Sequence, residues 1–178
     1  MVSYPFFQLF ADDDIRKDAY TLQARNGALQ FNAIKKLFAR EDGENPGRVD
    51  IKILRAAEAK MNIAEAEYNL GNEGPARIAL DAIRTKRYTT PPSGETGDAL
   101  RDAIRLERRL EFAFESQRFF DLKRWSLPVE RGSFGDLKDG SGTPSDAQNL
   151  PVGNPKFQLP IPQTATDLNP NLQQNPGY

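Results

Sequence analysis

The chain has 178 residues, enough for one domain with a hydrophobic core, and its 24 Lys+Arg against 25 Asp+Glu leave no net field to attract nucleic acid or an acidic surface. Cysteine and histidine are both absent. Their absence excludes disulfides, thiolate and imidazole metal sites, cysteine nucleophiles, serine–histidine machinery and the usual general base near neutral pH.

The first residues, MVSYPFFQLFADDD, have neither the basic start nor the apolar run of a secretory signal. No stretch reaches the roughly 20 apolar residues of a membrane span. Tyr4, Phe6, Phe7 and Phe10 form an aromatic cluster of the core-packing kind. Residues 1–47 read as irregular and loop-rich with one short helix. Phe31, Ile34, Leu37 and Phe38 fit one side of that helix, and an extended alternative stays open. A turn follows at Glu44-Asn45-Pro46-Gly47.

Residues 48–127 read as the helical core. Leu54, Ala57, Met61, Ala64 and Tyr68 step by three and four, which aligns them along one helix face. Gly71 supplies a stop and Pro75 suits the first turn of a second helix. That helix places Ala76, Ala79, Leu80 and Ile83 on one side and is expected to end near Tyr88, before Pro91 and Pro92. The pair makes an antiparallel hairpin. Its small residues at Ala64, Gly71, Ala76 and Ala79, with Tyr68 between, resemble one tetratricopeptide unit of about 34 residues.

A third, long helix is predicted from Asp98, as N-cap, to about Trp125. Leu106, Leu110, Ala113 and Phe120 lie near one face, Phe112 and Phe119 widen it, and Ala99 and Ala103 extend it. Residues 128–178 hold eight of the 13 prolines, which lack the N–H that helices and central strands need. Val152, Phe157, Leu159, Ile161 and Leu168 punctuate this stretch, so it is expected to form extended loops packed on the helices. The predicted fold class is all-α: a tetratricopeptide-like hairpin, a long C-terminal helix and extensive loops.

Glu107, Glu111 and Glu115 follow at four-residue steps on one face of the third helix. A glycosidase pair needs carboxyls roughly 5–9.5 Å apart that face each other across a sugar. Carboxylates on one helix face point the same way, so ion pairing with Arg105, Arg108, Arg109, Arg118 and Arg124 is the preferred assignment. Glu115–Arg118, Arg118–Asp121 and Asp121–Arg124 are each three apart, a spacing that permits contact. A lone buried charge costs several kcal/mol, and arginine's planar fork can bridge a carboxylate and loop carbonyls together. Arg108, Arg109, Arg118 and Arg124 are therefore expected to pin the proline-rich tail. Trp125 could offer a sugar-stacking face or anchor the core, and the core role is preferred because large aromatics mostly bury their surface.

The segment Asp136-Leu137-Lys138-Asp139-Gly140-Ser141-Gly142 lacks the full oxygen spacing of a calcium loop and reads as a turn. No phosphate-binding glycine loop is present, and no cofactor is expected.

Two blocks, residues 101–125 (RDAIRLERRLEFAFESQRFFDLKRW) and the ending LPIPQTATDLNPNLQQNPGY, resemble the C-terminal part of the SusD/RagB family of outer-membrane lipoproteins. A third segment, FADDDIR, resembles the family's Asp-x-Arg stretch. The resemblance makes Glu107, Arg108, Arg109, Glu111, Glu115, Arg118, Asp121, Arg124 and Trp125 a structural signature, with no ligand-binding residue assigned among them. It implies a non-catalytic protein that captures a glycan or other nutrient and acts as a surface lid on a SusC-like TonB-dependent transporter. It also implies a longer parent that carries a lipoprotein signal, an anchoring cysteine and further helical repeats. Two alternatives are a stand-alone helical-repeat module for protein partners and a glycoside hydrolase using Glu107 or Glu111. If the arginines pin the tail, Arg118→Met lowers stability and speeds limited proteolysis after residue 128.

Overall fold

Apolar residues at three- and four-residue steps fold the middle of the chain into helices. The computed structural model describes residues 1–36, 53–130, 137–142 and 149–178. In chain order these form α1 (Tyr4–Phe7), α2 (Arg16–Tyr20), β1 (Thr21–Asn26), β2 (Leu29–Ile34), α3 (Ala56–Asn69) and α4 (Glu73–Arg84). They are followed by α5 (Gly97–Glu111), α6 (Arg118–Arg124), β3 (Val129–Glu130), β4 (Asn149–Leu150), a 3-10 turn (Pro155–Phe157) and α7 (Gln163–Leu168). Two compact units emerge: Met1–Ser116 with Phe134–Thr143, and Gln117–Ser133 with Pro144–Tyr178.

In the first unit, α3 and α4 pack as a hairpin and α5 packs on both. The joint is made by Gly71, whose φ of +81° belongs to the left-handed region that glycine enters freely, and by the Asn72 N–H donating to the Glu67 carbonyl at 2.8 Å. Pro75 falls in the first turn of α4, where its missing N–H has no helical partner to lose. The core unites Met61 and Ala64 from α3, Ala76, Ala79, Leu80 and Ile83 from α4, Leu100 and Ile104 from α5, and Phe112. Ala57 and Tyr68 pack at its edge, whereas Leu54 precedes α3 and is exposed.

Several expected boundaries move, each for a visible reason. Helix α4 stops at Arg84 and not near Tyr88, because the following backbone is taken by Asp14 and Ile15: Asp14 bridges Tyr88, and the Ile15 N–H donates to the Arg87 carbonyl at 2.9 Å. Helix α5 starts two residues early, with Thr96 at the cap position and Asp98 in the first turn, 2.8 Å from Arg101. Its buried stripe runs Leu100, Ile104, Glu107, Glu111, with Leu110 and Ala113 also buried, while Leu106 and Phe120 are exposed.

The single long helix expected through Trp125 is two helices. Phe114 and Ser116 adopt left-handed φ values of 66° and 61°, which break the helix although neither is glycine. Carbonyls that a continuing helix would have bonded are taken instead by side chains. Lys36 Nζ donates to Glu111 O at 2.8 Å and Ala113 O at 3.1 Å, and Arg55 Nη2 donates to Glu111 O at 3.0 Å. The Phe114 ring meets Phe6 edge-on at 5.8 Å.

Phe31 and Ile34 lie on β2, so the extended alternative holds for them; Leu37, Phe38 and the turn at residues 44–47 fall outside the described residues. β1 and β2 form an antiparallel hairpin with Thr21 opposite Ile34 and Asn26 opposite Leu29, around Gly27 at φ +59°. In the second unit, β3 pairs with β4 and Phe119 stacks on Phe157 at 5.4 Å. The helical reading stands, and two small sheets amend the all-α expectation. Among the described residues no helix is long and apolar enough to cross a membrane.

Leu100 has no exposed surface, so Leu100→Ala is expected to lower the unfolding free energy by about 2–5 kcal/mol in urea titration. Leu168→Ala, at an exposed position, is expected to change it by no more than about 0.5 kcal/mol.

Candidate functional site

The buried stripe of α5 turns from apolar to acidic as it descends, and that change dictates what must surround it. Glu107 and Glu111 are 1% and 0% exposed. Carboxylates this deep need cations and donors within reach. The first cation comes from Arg16, itself 1% exposed. Asp14 grips it as a fork: Nε donates to Asp14 Oδ1 at 2.9 Å and Nη2 to Oδ2 at 2.8 Å. Asp14 Oδ1 also accepts from the Arg16 backbone N–H at 2.9 Å, which fixes the local turn entering α2. So oriented, Arg16 Nη1 lies 2.6 Å from Glu107 Oε1 and 3.3 Å from Glu111 Oε2. Tyr88 closes the circuit. Its hydroxyl accepts from Arg16 Nη2 at 2.8 Å and donates to Glu107 Oε2 at 3.1 Å.

Further cations arrive from other segments. Arg55, just ahead of α3, donates to Glu111 Oε1 at 2.8 Å and to Glu115 Oε2 at 3.0 Å. Arg87 spans both Glu111 oxygens at 2.8 and 2.9 Å. Lys36 pairs with Glu115 Oε1 at 2.6 Å and sits 3.8 Å from the centre of the Tyr20 ring. Arg84 reaches Glu107 at 3.4 Å, Glu95 at 3.0 Å and the Pro92 carbonyl at 3.1 Å.

The electrostatics follow from these ion pairs. Burial alone would push the Glu111 carboxyl up, but hydrogen bonds from Arg87 and Arg55, with the charges of Arg87 and Arg16, outweigh it and hold the group down to about 2. Burial likewise opposes the charge on Arg16, and the bonds to Asp14 with the charge of Glu107 raise its pKa above the ordinary arginine value. Burial lowers Lys36 to about 8 against the pull of Glu115, and pushes Tyr20 up to about 12. An ionised carboxylate wrapped by guanidinium groups has no proton to give and no open side to offer a substrate. The arrangement is suited to rigidity.

The structure therefore gathers Glu107, Glu111 and Glu115 into one network. Arg108 sits next to it on α5, donating to Asn62 Oδ1 at 2.8 Å and facing the Phe112 ring at 5.1 Å. Arg109 faces the Phe6 ring at 5.2 Å. Arg118, Asp121, Arg124 and Trp125 belong to the second unit. There Arg124 pairs with Asp121 at 3.1 Å and lies 4.9 Å from the Trp125 ring centre. Burial disfavours the charge of Arg118, and Asp121 opposes that effect. Asp139 accepts from the Ser141 N–H at 3.0 Å and hydroxyl at 2.7 Å, an Asx turn, while Asp136 falls outside the described residues. Among the described residues no acidic cluster is arranged to hold a metal.

Lys36, Arg55, Arg84, Arg87 and Tyr88 escaped the sequence analysis. The stripe Leu100–Ile104–Glu107–Glu111 was the available signal, since two acids in register with a core face require cations from elsewhere.

Removing one partner strands the others. Glu111→Gln is expected to cost about 3–5 kcal/mol of unfolding free energy by denaturant titration. The folded pKa of Glu111 lies below its ordinary 4.5, so its contribution is complete above that value and fades as pH falls toward about 2. It amounts to on the order of 3 kcal/mol. Urea titrations across this pH window are expected to show the loss in the native protein and a weaker slope in Glu111→Gln.

Comparison with known proteins places this geometry. The sequence model of the SusD family matches residues 18–178. A SusD-like protein of Formosa agariphila is 28% identical over 134 residues, which is 71% of this chain and 24% of that protein. A solved structure from Bacteroides vulgatus, assigned as a sugar-binding protein, superposes with a TM-score of 0.79 at 28% identity over 99% of this chain and 39% of its own. A SusD superfamily protein of the same species superposes at 0.76 with 27% identity, covering 96% of this chain and 37% of its own. The chain thus spans about two fifths of the solved relatives and a quarter of the Formosa protein. With the match running from α2 through the acidic stripe of α5 to the terminal tyrosine, the chain belongs to the SusD family.

Proposed function

We propose that the protein is the glycan- or nutrient-binding component of an outer-membrane uptake system and serves as a surface lid on a SusC-like TonB-dependent transporter. The observation that carries this is the family match over residues 18–178. The assignment of a superposable relative to sugar binding supports the ligand class. In this proposal the parent protein is a surface-exposed lipoprotein, and the packed helices with their charge network give a stiff platform. Loops shape the ligand site, and opening and closing of the lid couples capture to import. Cofactor and nucleic acid play no part.

Catalysis is not part of the proposal. The Glu107 and Glu111 carboxylates are both buried among arginines and do not face a substrate across an open cleft, and those arginines hold Glu111 down to about 2. A helical-repeat module for a soluble protein partner is the second reading, favoured by the α3–α4 hairpin. Affinity capture from detergent-solubilised outer membranes of a Bacteroidetes cell separates the two. Recovery of a TonB-dependent barrel, together with retention of a glycan on an array without release of reducing sugar, is expected. Recovery of soluble partners alone, or glycan cleavage, would overturn the assignment.

A further inference from the structure

The end of the chain folds back on itself and builds a cleft that plays no part in the charge network. Gln174 makes the closure: its Oε1 accepts from the Ile161 N–H at 2.8 Å and its Nε2 donates to the Ile161 carbonyl at 2.9 Å, as a neighbouring strand would. Asn175 Nδ2 donates to Leu159 O at 2.6 Å, and the Tyr178 hydroxyl donates to Gln158 O at 3.0 Å. These bonds bring Tyr178 to a cleft that Pro160, Ile161, Pro162 and Leu172 also line. The cleft measures about 550 Å³, within the roughly 300–1,000 Å³ of small-molecule sites.

Its chemistry is selective. No Asp, Glu, Lys or Arg side chain is among the described residues that line it. The polar side chains that line it, Gln163, Thr166 and Gln174, are neutral amides and a hydroxyl. Gln163 gives one amide N–H to Asp167 at 2.7 Å, which leaves its carbonyl oxygen and its second N–H for a ligand. The Thr166 hydroxyl donates to Gln163 O at 2.9 Å, leaving its oxygen lone pairs. Neutral amides and hydroxyls suit the donors and acceptors of a sugar rim, and without a cation nothing offsets the desolvation of a carboxylate or sulfate. An aromatic ring and prolines present rigid apolar surface at little entropic cost. A neutral sugar ring, with its C–H face and hydroxyl rim, satisfies both sides.

We propose that this cleft is a carbohydrate subsite for one ring of a neutral oligosaccharide. It rests on the glycan-binding reading above and adds a location, a charge preference and named contacts. The test is amide NMR on the 178-residue protein titrated with cellohexaose, mannohexaose, galactohexaose and hexagalacturonate, with calorimetry in parallel. At least one neutral hexamer is expected to give saturable shifts at Ile161, Gln163, Thr166 and Tyr178, and hexagalacturonate none. Tyr178→Ala is expected to weaken binding by about tenfold. Thr166→Val, which leaves the ring in place, should weaken it several-fold. Binding heat without shifts at these residues overturns the subsite and leaves the glycan-binding reading standing. No heat with any hexamer overturns the subsite as well. Equal response to hexagalacturonate, unchanged affinity in both variants, or shifts that grow with protein concentration alone, as a second copy filling the cleft would give, each overturn the subsite.

Discussion

A guanidinium with no access to water, held among three carboxylates, is the constraint on which the first unit rests. Arg16 could not be buried alone, nor could Asp14, Glu107 and Glu111. Each makes the burial of the others tolerable, and Tyr88 turns the pairs into a closed circuit by accepting from the cation and donating to the anion. Such groups stabilise little relative to an apolar core of the same shape, yet they are severe about geometry. A shift of α2 along α5 by one turn would leave charges facing hydrocarbon. The network therefore selects one arrangement among the many that packed apolar helices would accept.

This selection explains how distant parts of the chain are tied to one helix. Arg16, Lys36, Arg55, Arg84 and Arg87 come from different stretches and meet on the last turns of α5. Glu111 is the hub, since both its carboxylate and its backbone carbonyl are engaged by cations. The same contacts end the helix. The chain departs from α-geometry where Lys36 and Arg55 occupy the carbonyls, and Phe114 and Ser116 absorb the change of direction.

Which parts of this could be read from the sequence follows from the range of the forces involved. The α3–α4 hairpin was legible because Met61, Ala64, Ala76, Ala79, Leu80 and Ile83 obey a local period, with Gly71 between them to stop the first helix. The break after Glu111 was not, because no glycine or proline marks it and its cause lies in Lys36 and Arg55, tens of residues upstream. The β1–β2 hairpin turns at Gly27-Ala28, and a competing helical pattern in Phe31 and Ile34 obscured it. For the acidic stripe, the identity of Glu107 and Glu111 as paired charges was foreseeable from burial cost, but their partners were not. Spacing along a helix names neighbours on that helix, and these partners stand on other segments. The cleft at Tyr178 was equally hidden, since Gln174 and Asn175 act through backbone groups that no side-chain pattern announces.

Depth has one more effect on these charges. Mobile ions weaken attraction between groups that solvent can reach, with a screening distance of about 8 Å at physiological ionic strength, and scarcely touch groups sealed from it. The Arg101–Asp98 pair on the outer side of α5 belongs to the first kind, and Arg16–Glu107 to the second. The internal order of the first unit is thus set by pairs that salt in the surrounding medium scarcely weakens.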